Sequence, residues 1–289
     1  TFSGNYAGNG SATFEIQPTA NEVSITADIR SFVFDGKQQA PVITIVIGGE
    51  TLTNGVDYTV TYKKADGTEA EPVNAAQYVA VINGQGNYHG VLGEIIFEIV
   101  KAPVTVEFAE EKVSKTFGNA DFVNQITVSS GAETLFTSSN VGVAPVDENG
   151  AVRIVGAGTT VITVTIPATE NTEGNTASYT LEVAPKSIEA FPIDPIDTKT
   201  YTGEEIRCSI VLADGETVLI EGKDYVVEYS DNVTIGTATV TVKGIGNYTG
   251  SFTARFAIVA NTVGFEIEAI EDVTYTGSAI SPRPEVKYA

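Results

Sequence analysis

The sequence predicts an all-β chain of tandem β-sandwich modules, and three observations carry that expectation. Strings recur in a fixed order at one and two module lengths, apolar and polar residues alternate with period two, and glycine-rich corners separate the alternating stretches. No window of 11 or more residues shows a helical period. With 289 residues, 42% of them hydrophobic and 18% charged, the chain has the composition of a folded protein, long enough for two ordinary domains or three small β-modules.

The most informative string is Gly-x-Gly-Asn-Tyr-x-Gly. It stands at Gly84-Gln85-Gly86-Asn87-Tyr88-His89-Gly90 and at Gly244-Ile245-Gly246-Asn247-Tyr248-Thr249-Gly250, with a partial copy at Gly4-Asn5-Tyr6-Ala7-Gly8. Each precedes an alternating stretch built around an aromatic: Ala12 to Ile16, Ile95 to Ile99 and Ala254 to Ile258. Upstream, Leu52 to Tyr62 matches Leu219 to Tyr229, and Phe34-Asp35-Gly36 matches Tyr201-Thr202-Gly203 and Tyr275-Thr276-Gly277. The order predicts a trailing end of a preceding repeat at 1–17, a β-sandwich repeat at 18–101, a different unit at 102–185, a second copy of the repeat at 186–259, and the leading end of a further repeat at 260–289. Pro103 and Pro185 at the two joints predict short, semi-rigid linkers.

Within a copy, Asp57-Tyr58-Thr59-Val60-Thr61-Tyr62 puts Tyr58, Val60 and Tyr62 on one face and the threonines on the other, as a half-buried strand requires. Gly84 and Gly86 bracket a bend that predicts positive φ. Tyr88 and Tyr248 read as corner tyrosines, each ring capping a core while its hydroxyl bonds nearby backbone. In the middle unit, Asn149-Gly150 between apolar stretches predicts a two-residue hairpin. Gly156-Ala157-Gly158 breaks the chain before the β-branched run Thr159 to Ile166.

The middle unit resembles the group 2 bacterial immunoglobulin-like (Big) domain. The residues that carry the resemblance are Ser138 and Asn140, then Val143-Ala144-Pro145-Val146-Asp147, Gly150-Ala151-Val152 and Gly156-Ala157-Gly158-Thr159, with Lys115 to Phe122 and Ala177 to Val183 at the flanks. The flanking copies resemble the Tyr-x-Gly to Gly-Asn-Tyr-x-Gly repeats beside such domains in secreted and cell-wall proteins of bacteria. Together these resemblances imply immunoglobulin-like β-sandwich modules in an extended array, on a bacterial cell surface or in a cell wall.

Composition limits the chemistry. A net charge of −21, spread along the chain without a basic stripe, removes the electrostatic term on which nucleic-acid binding depends. No apolar run approaches the roughly 18 residues of a membrane-spanning helix, so no membrane insertion is expected. The absence of Met suggests an internal piece of a longer polypeptide. His89 sits in a glycine-rich turn and Cys208 in an alternating stretch, so neither builds a nucleophile–base pair. His89 reads as a solvent-facing turn residue and Cys208 as a small core residue. Abundant acids give chance carboxylate pairs, but a glycosidase needs a deep cleft that modules of this size seldom hold.

No catalytic, cofactor-binding or metal-ligating residues are assigned on these grounds. Calcium is the one ion considered: Asp147-Glu148-Asn149-Gly150, Glu110-Glu111 near the first joint, and Asp194 and Asp197 near the second supply oxygen ligands, but none has the spaced pattern of a dedicated loop. For Asp147 a turn role suffices, whereas the acids at the joints leave a calcium ion bridging neighbouring modules open. An amide cross-link between a Lys and an Asn or Asp would need a buried Lys. Head-to-tail completion of the two partial ends is disfavoured, because their combined length falls well short of a copy. The expected function is a non-catalytic stalk or adhesin-like segment whose partners are neighbouring modules and a host or glycan ligand. The alternative is an accessory carbohydrate-binding region, which requires Tyr6, Tyr88 and Tyr248 to face solvent in one plane.

Overall fold

The computed structural model describes residues 22–129, 131–262 and 264–288. The expected trailing end at 1–17, with Tyr6, lies outside them. Among the described residues all regular structure is strand. The chain divides into two compact units. One comprises the described residues up to Val106 with Val128–Thr134 and Thr165–Thr176; the other comprises Glu107–Thr127, Leu135–Val164 and the described residues from Ala177 onward.

The first unit carries the first copy. Its main sheet has four strands in the order Ser31–Val33, Val91–Val100, Ala76–Gly84 and Tyr58–Lys64. The first of these runs parallel to the last strand in sequence, pairing Ser31 with Glu98 and Val33 with Val100, and the other pairs are antiparallel. A facing sheet joins Val23–Ala27, Ile43–Ile47 and Glu50–Thr51. Period-two alternation decides what is buried: Ile95, Phe97 and Ile99 are at most 4% exposed, while Glu94, Ile96 and Glu98 between them face out. Phe97 anchors the cluster, with ring centroids of Phe32, Tyr62 and Tyr78 at 6.1, 6.1 and 5.7 Å.

The second unit holds two hydrophobic clusters. One gathers Val113, Val143, Ala144, Val152, Ile162, Tyr179, Leu181 and Val183. Its sheet runs Leu135–Ser138, Gly158–Ile166, Asn175–Ala184 and Lys112–Thr116, the last pair parallel. The other gathers Ile188, Leu212, Tyr225, Val240, Val242, Phe256 and their neighbours. Its sheet runs Lys199–Thr200, Ser251–Val259, Gly236–Gly244 and Tyr225–Ser230, again with the opening strand parallel to the closing one. The same order in all three sheets, with a first strand parallel to the last, is the topology of tandem immunoglobulin-like sandwiches.

The repeated strings form repeated atoms. Asp57 Oδ2 accepts the amide of Thr53 at 2.8 Å and Asp224 Oδ2 that of Ile220 at 2.9 Å. The amides of Gly55 and Gly222, at φ of 81° and 83°, each donate at 2.7 Å to the carbonyl of the following tyrosine, Tyr58 or Tyr225. At the corners, Gly84 donates to Gly90 at 2.8 Å and Gly244 to Gly250 at 2.9 Å.

Two local expectations are corrected. Gly86 has the positive φ expected of it, 66°, but Gly84 does not. A Cβ on Gly84 would meet the backbone of Tyr88 and His89 at 3.0–3.1 Å, so close approach is what calls for glycine there. Asn149-Gly150 is not the two-residue hairpin. Gly150 alone takes positive φ, 79°, and its amide closes a turn onto the Asp147 carbonyl at 3.1 Å. The Asp147 carboxylate accepts the amides of Asn149 and Ala151 at 2.9 and 2.8 Å, and this side-chain turn outcompetes the tighter form.

Tyr179, 2% exposed, packs edge-on against Phe108 at 4.7 Å, and its buried hydroxyl has no partner in the protein. Burial pushes its phenol up to about 12. Tyr248 is also pushed up to about 12, by burial first and then by the carboxylates of Asp214 and Asp224. Both groups are raised above the ordinary value of about 10, so the fold favours their neutral forms. Stability is therefore expected to be independent of these groups below pH 10 and to fall as pH rises from 10 toward 12. Urea unfolding at pH 8, 10 and 11.5 checks this. Tyr179→Phe is expected to flatten the alkaline decline and, by removing an unpaired buried hydroxyl, to cost nothing at neutral pH.

Candidate functional site

The residues singled out for chemistry do not converge. His89 is exposed. Cys208 is half-buried against the second-copy core, its amide donating to the Tyr229 hydroxyl at 3.0 Å and its carbonyl accepting that hydroxyl at 2.6 Å; burial pushes its thiol up. Glu110, Glu111, Asp194 and Asp197 are all exposed. No group of three or more His, Cys, Asp or Glu side chains comes together among the described residues. No lysine is buried among them either.

Tyr88 is half-buried, and Tyr248 is 5% exposed with its hydroxyl turned to Asp214 Oδ2 at 3.4 Å rather than to backbone. One groove on the first copy gathers Gln38, Thr61, Tyr62, Glu69 and Glu71. The two carboxylates are exposed neighbours on a short segment, and Gln38 Nε2 donates to Glu71 at 2.6 Å.

What the fold does assemble, twice, is a joint. In the first unit, Asn171 Oδ1 accepts the amide of Ala75 at 2.8 Å while the Asn171 carbonyl accepts the linker amide of Ala102 at 2.9 Å. In the second unit, Asn247 Oδ1 accepts the amide of Ala157 at 2.8 Å while the Asn247 carbonyl accepts the linker amide of Lys186 at 2.9 Å. The positions correspond. Ala75 and Ala157 each stand one residue before a long strand, Ala76–Gly84 or Gly158–Ile166. Asn171 and Asn247 each open an Asn-x-x-Gly loop that leads into a sandwich's last strand. The linker then lies parallel to the loop, Ala102 beside Thr172 and Lys186 beside Tyr248.

Each joint has its own reinforcement. Asn171 Nδ2 donates to Asn74 Oδ1 at 3.1 Å and Lys101 Nζ to the Thr169 carbonyl at 2.6 Å. In the second unit Lys186 Nζ pairs with Asp214 at 2.5 Å, and the Tyr248 ring meets Phe117 and Phe191 edge-on at 5.5 and 6.1 Å. Phe117 packs against both clusters of that unit, so one ring is shared by two cores. The ion pair is part-exposed and adds little by itself. The hydrogen bonds give an acceptor to a backbone amide on each side of the joint, and in the second unit the shared ring adds apolar contact.

The sequence pattern points to Asn247 only as a turn residue, and it misses Asn171 because the loop there lacks the two glycines before the Asn and the tyrosine after it. The spacing Asn-x-x-Gly is common to Asn87, Asn171 and Asn247, but Asn5, Asn83 and Asn261 share it, so only its place directly before a sandwich's last strand singles these three out.

Residues 125–169 match the family described as intimin, immunoglobulin-like domain, which supports a bacterial immunoglobulin-like domain in the middle of the chain. No curated protein matches the chain. Similar solved structures include surface layer protein SbsC, domains 1–6, at 15% identity over 86% of this chain and 42% of that one, TM-score 0.27. Drosophila N-cadherin EC1-4 is 13% identical over 84% of this chain and 76% of that one, TM-score 0.28. The chain spans less than half the length of the SbsC structure.

Proposed function

We propose that the chain is a non-catalytic extracellular segment of a large bacterial surface or secreted protein, a stalk or adhesin-like spacer whose middle sandwich is a group 2 bacterial immunoglobulin-like domain. The observation that carries this reading is the repeated joint: twice, an Asn side chain accepts the amide that precedes a long strand while the carbonyl of the same Asn accepts a linker amide, an arrangement that serves spacing and orientation. The intimin family match in the middle of the chain supports the location. The boundaries 18–101, 102–185 and 186–259, with further repeats before and after, belong to the same proposal.

Solution scattering tests it. A single compact body of 289 residues has a radius of gyration of about 19 Å. A spacer is expected to give a value well above that, unchanged by a chelator, because protein groups close the joints. A value near the compact limit, or a collapse on adding chelator, would contradict the reading.

A second reading, an accessory carbohydrate-binding region, draws on the groove at Gln38, Tyr62, Glu69 and Glu71, whose polar groups suit sugar hydroxyls. Saccharide titration with Tyr62→Ala as the control decides between them.

A further inference from the structure

The two filled joints share a donor half and an acceptor half, and the second copy carries the donor half a third time. Its strand Gly236–Gly244 corresponds to Gly158–Ile166, and the leading glycines take matching φ of 148° and 141°. The residue before it, Ile235, stands where Ala75 and Ala157 stand, and it is 57% exposed. Among the described residues its amide meets no backbone or side-chain acceptor. Two residues past the end of Ser251–Val259 comes Asn261, as Ala102 follows Val91–Val100 and Lys186 follows Asn175–Ala184.

We propose that the amides of Ile235 and Asn261 form the donor half of a third joint, and that its occupant is a sandwich following in the same polypeptide that presents an Asn-x-x-Gly loop before its last strand. Two observations identify that occupant. The hairpin Phe265–Ile267 with Val286–Tyr288, with Tyr275-Thr276-Gly277 between its strands, repeats the opening of the first copy, where Val23–Ala27 pairs with Ile43–Ile47 around Phe34-Asp35-Gly36. The loop such a copy carries is already visible as Asn87-Tyr88-His89-Gly90. Its backbone matches that of the filled Asn247 loop: Tyr88 donates to Gln85 and Tyr248 to Ile245, both at 3.1 Å, and Gln85 and Ile245 donate to Asp57 and Asp224 at 2.8 and 2.9 Å. Asn87 is therefore poised as Asn247 is, with an acceptor oxygen for one amide and a carbonyl for the next. The filled joints show that the halves fit whether the copy precedes or follows the middle sandwich, so side-chain identity around them is not what selects the partner.

This inference rests on the joint as read above, and one experiment separates the two. Two chains are joined in tandem so that Asn261 of the first runs directly into Ala20 of the second, which sets Ile235 of the first opposite Asn87 of the second. Backbone amide exchange is then measured in the tandem and in the single chain. Exchange at Ile235 and Asn261 is expected to slow roughly tenfold in the tandem. Asn87→Ala in the second half is expected to return Ile235 to its single-chain rate while Asn261, bonded to a carbonyl, stays slow. An unchanged rate at Ile235, or protection there that survives Asn87→Ala, would overturn the inference. Ala75 and Ala157 in the same molecule report the joints already described: fast exchange at these two refutes the joint reading itself, whereas slow exchange there with fast exchange at Ile235 refutes only the third joint.

Discussion

Phe97→Ala is expected to unfold the first-copy core at denaturant concentrations that leave the second-copy core intact. The ring is 1% exposed and touches Phe32, Tyr62 and Tyr78, so truncation removes both its transfer free energy and the contacts of three aromatic neighbours. Such a change costs about 3–5 kcal/mol. A sandwich of roughly 80 residues is stable by about 4–12 kcal/mol, so the loss consumes much of what holds that body together. Phe256, 3% exposed in the second-copy core, is untouched. Urea titration followed by circular dichroism should then show an early transition split from a later one. A uniform shift of one cooperative transition would show that the cores do not unfold separately.

Gly244→Ala is expected to cost about 1–3 kcal/mol and to loosen the second-unit joint, while the equivalent Gly84→Ala costs less. A Cβ on Gly244 would meet Thr249 N at 2.6 Å and Thr249 O and Tyr248 C at 2.9 Å, all main-chain atoms that cannot swing aside. On Gly84 the nearest atoms are at 3.0–3.1 Å, close enough to need only a small shift. Because Tyr248–Thr249 is the segment that pairs with Lys186–Ser187, displacing it reaches the linker directly. Thermal melts of the two variants give the difference. Equal losses would mean that the closer approach at Gly244 does not constrain the corner.

The strands were legible because burial on one face leaves a period-two record in the residue types. Tyr58, Val60 and Tyr62 point inward and Thr59 and Thr61 outward, as the alternation requires. The joints were largely hidden, for a physical reason. Their donors are the backbone amides of Ala75, Ala157, Ala102 and Lys186, and a main-chain N–H leaves no signature in the side chain that happens to carry it. Only the acceptor is a side-chain choice, and an asparagine in a glycine-rich loop reads first as a turn former. The hairpin at Asn149-Gly150 differed for a related reason: Asp147, three residues before the glycine, supplies a carboxylate that caps two amides and so selects the wider turn. The tyrosine at the corner was placed correctly as a core cap, but its hydroxyl went to Asp214, thirty-four residues away, a partner that local spacing does not reveal.

Hydrogen exchange at Ala75 and Ala157 in the full chain tests the shared joint most directly. Both amides should be slow in the parent protein; Asn171→Ala should release Ala75 alone, and Asn247→Ala should release Ala157 alone. Free exchange of either amide in the parent chain, or indifference of both to their asparagine partners, would contradict the claim that these side chains fasten one sandwich to the next.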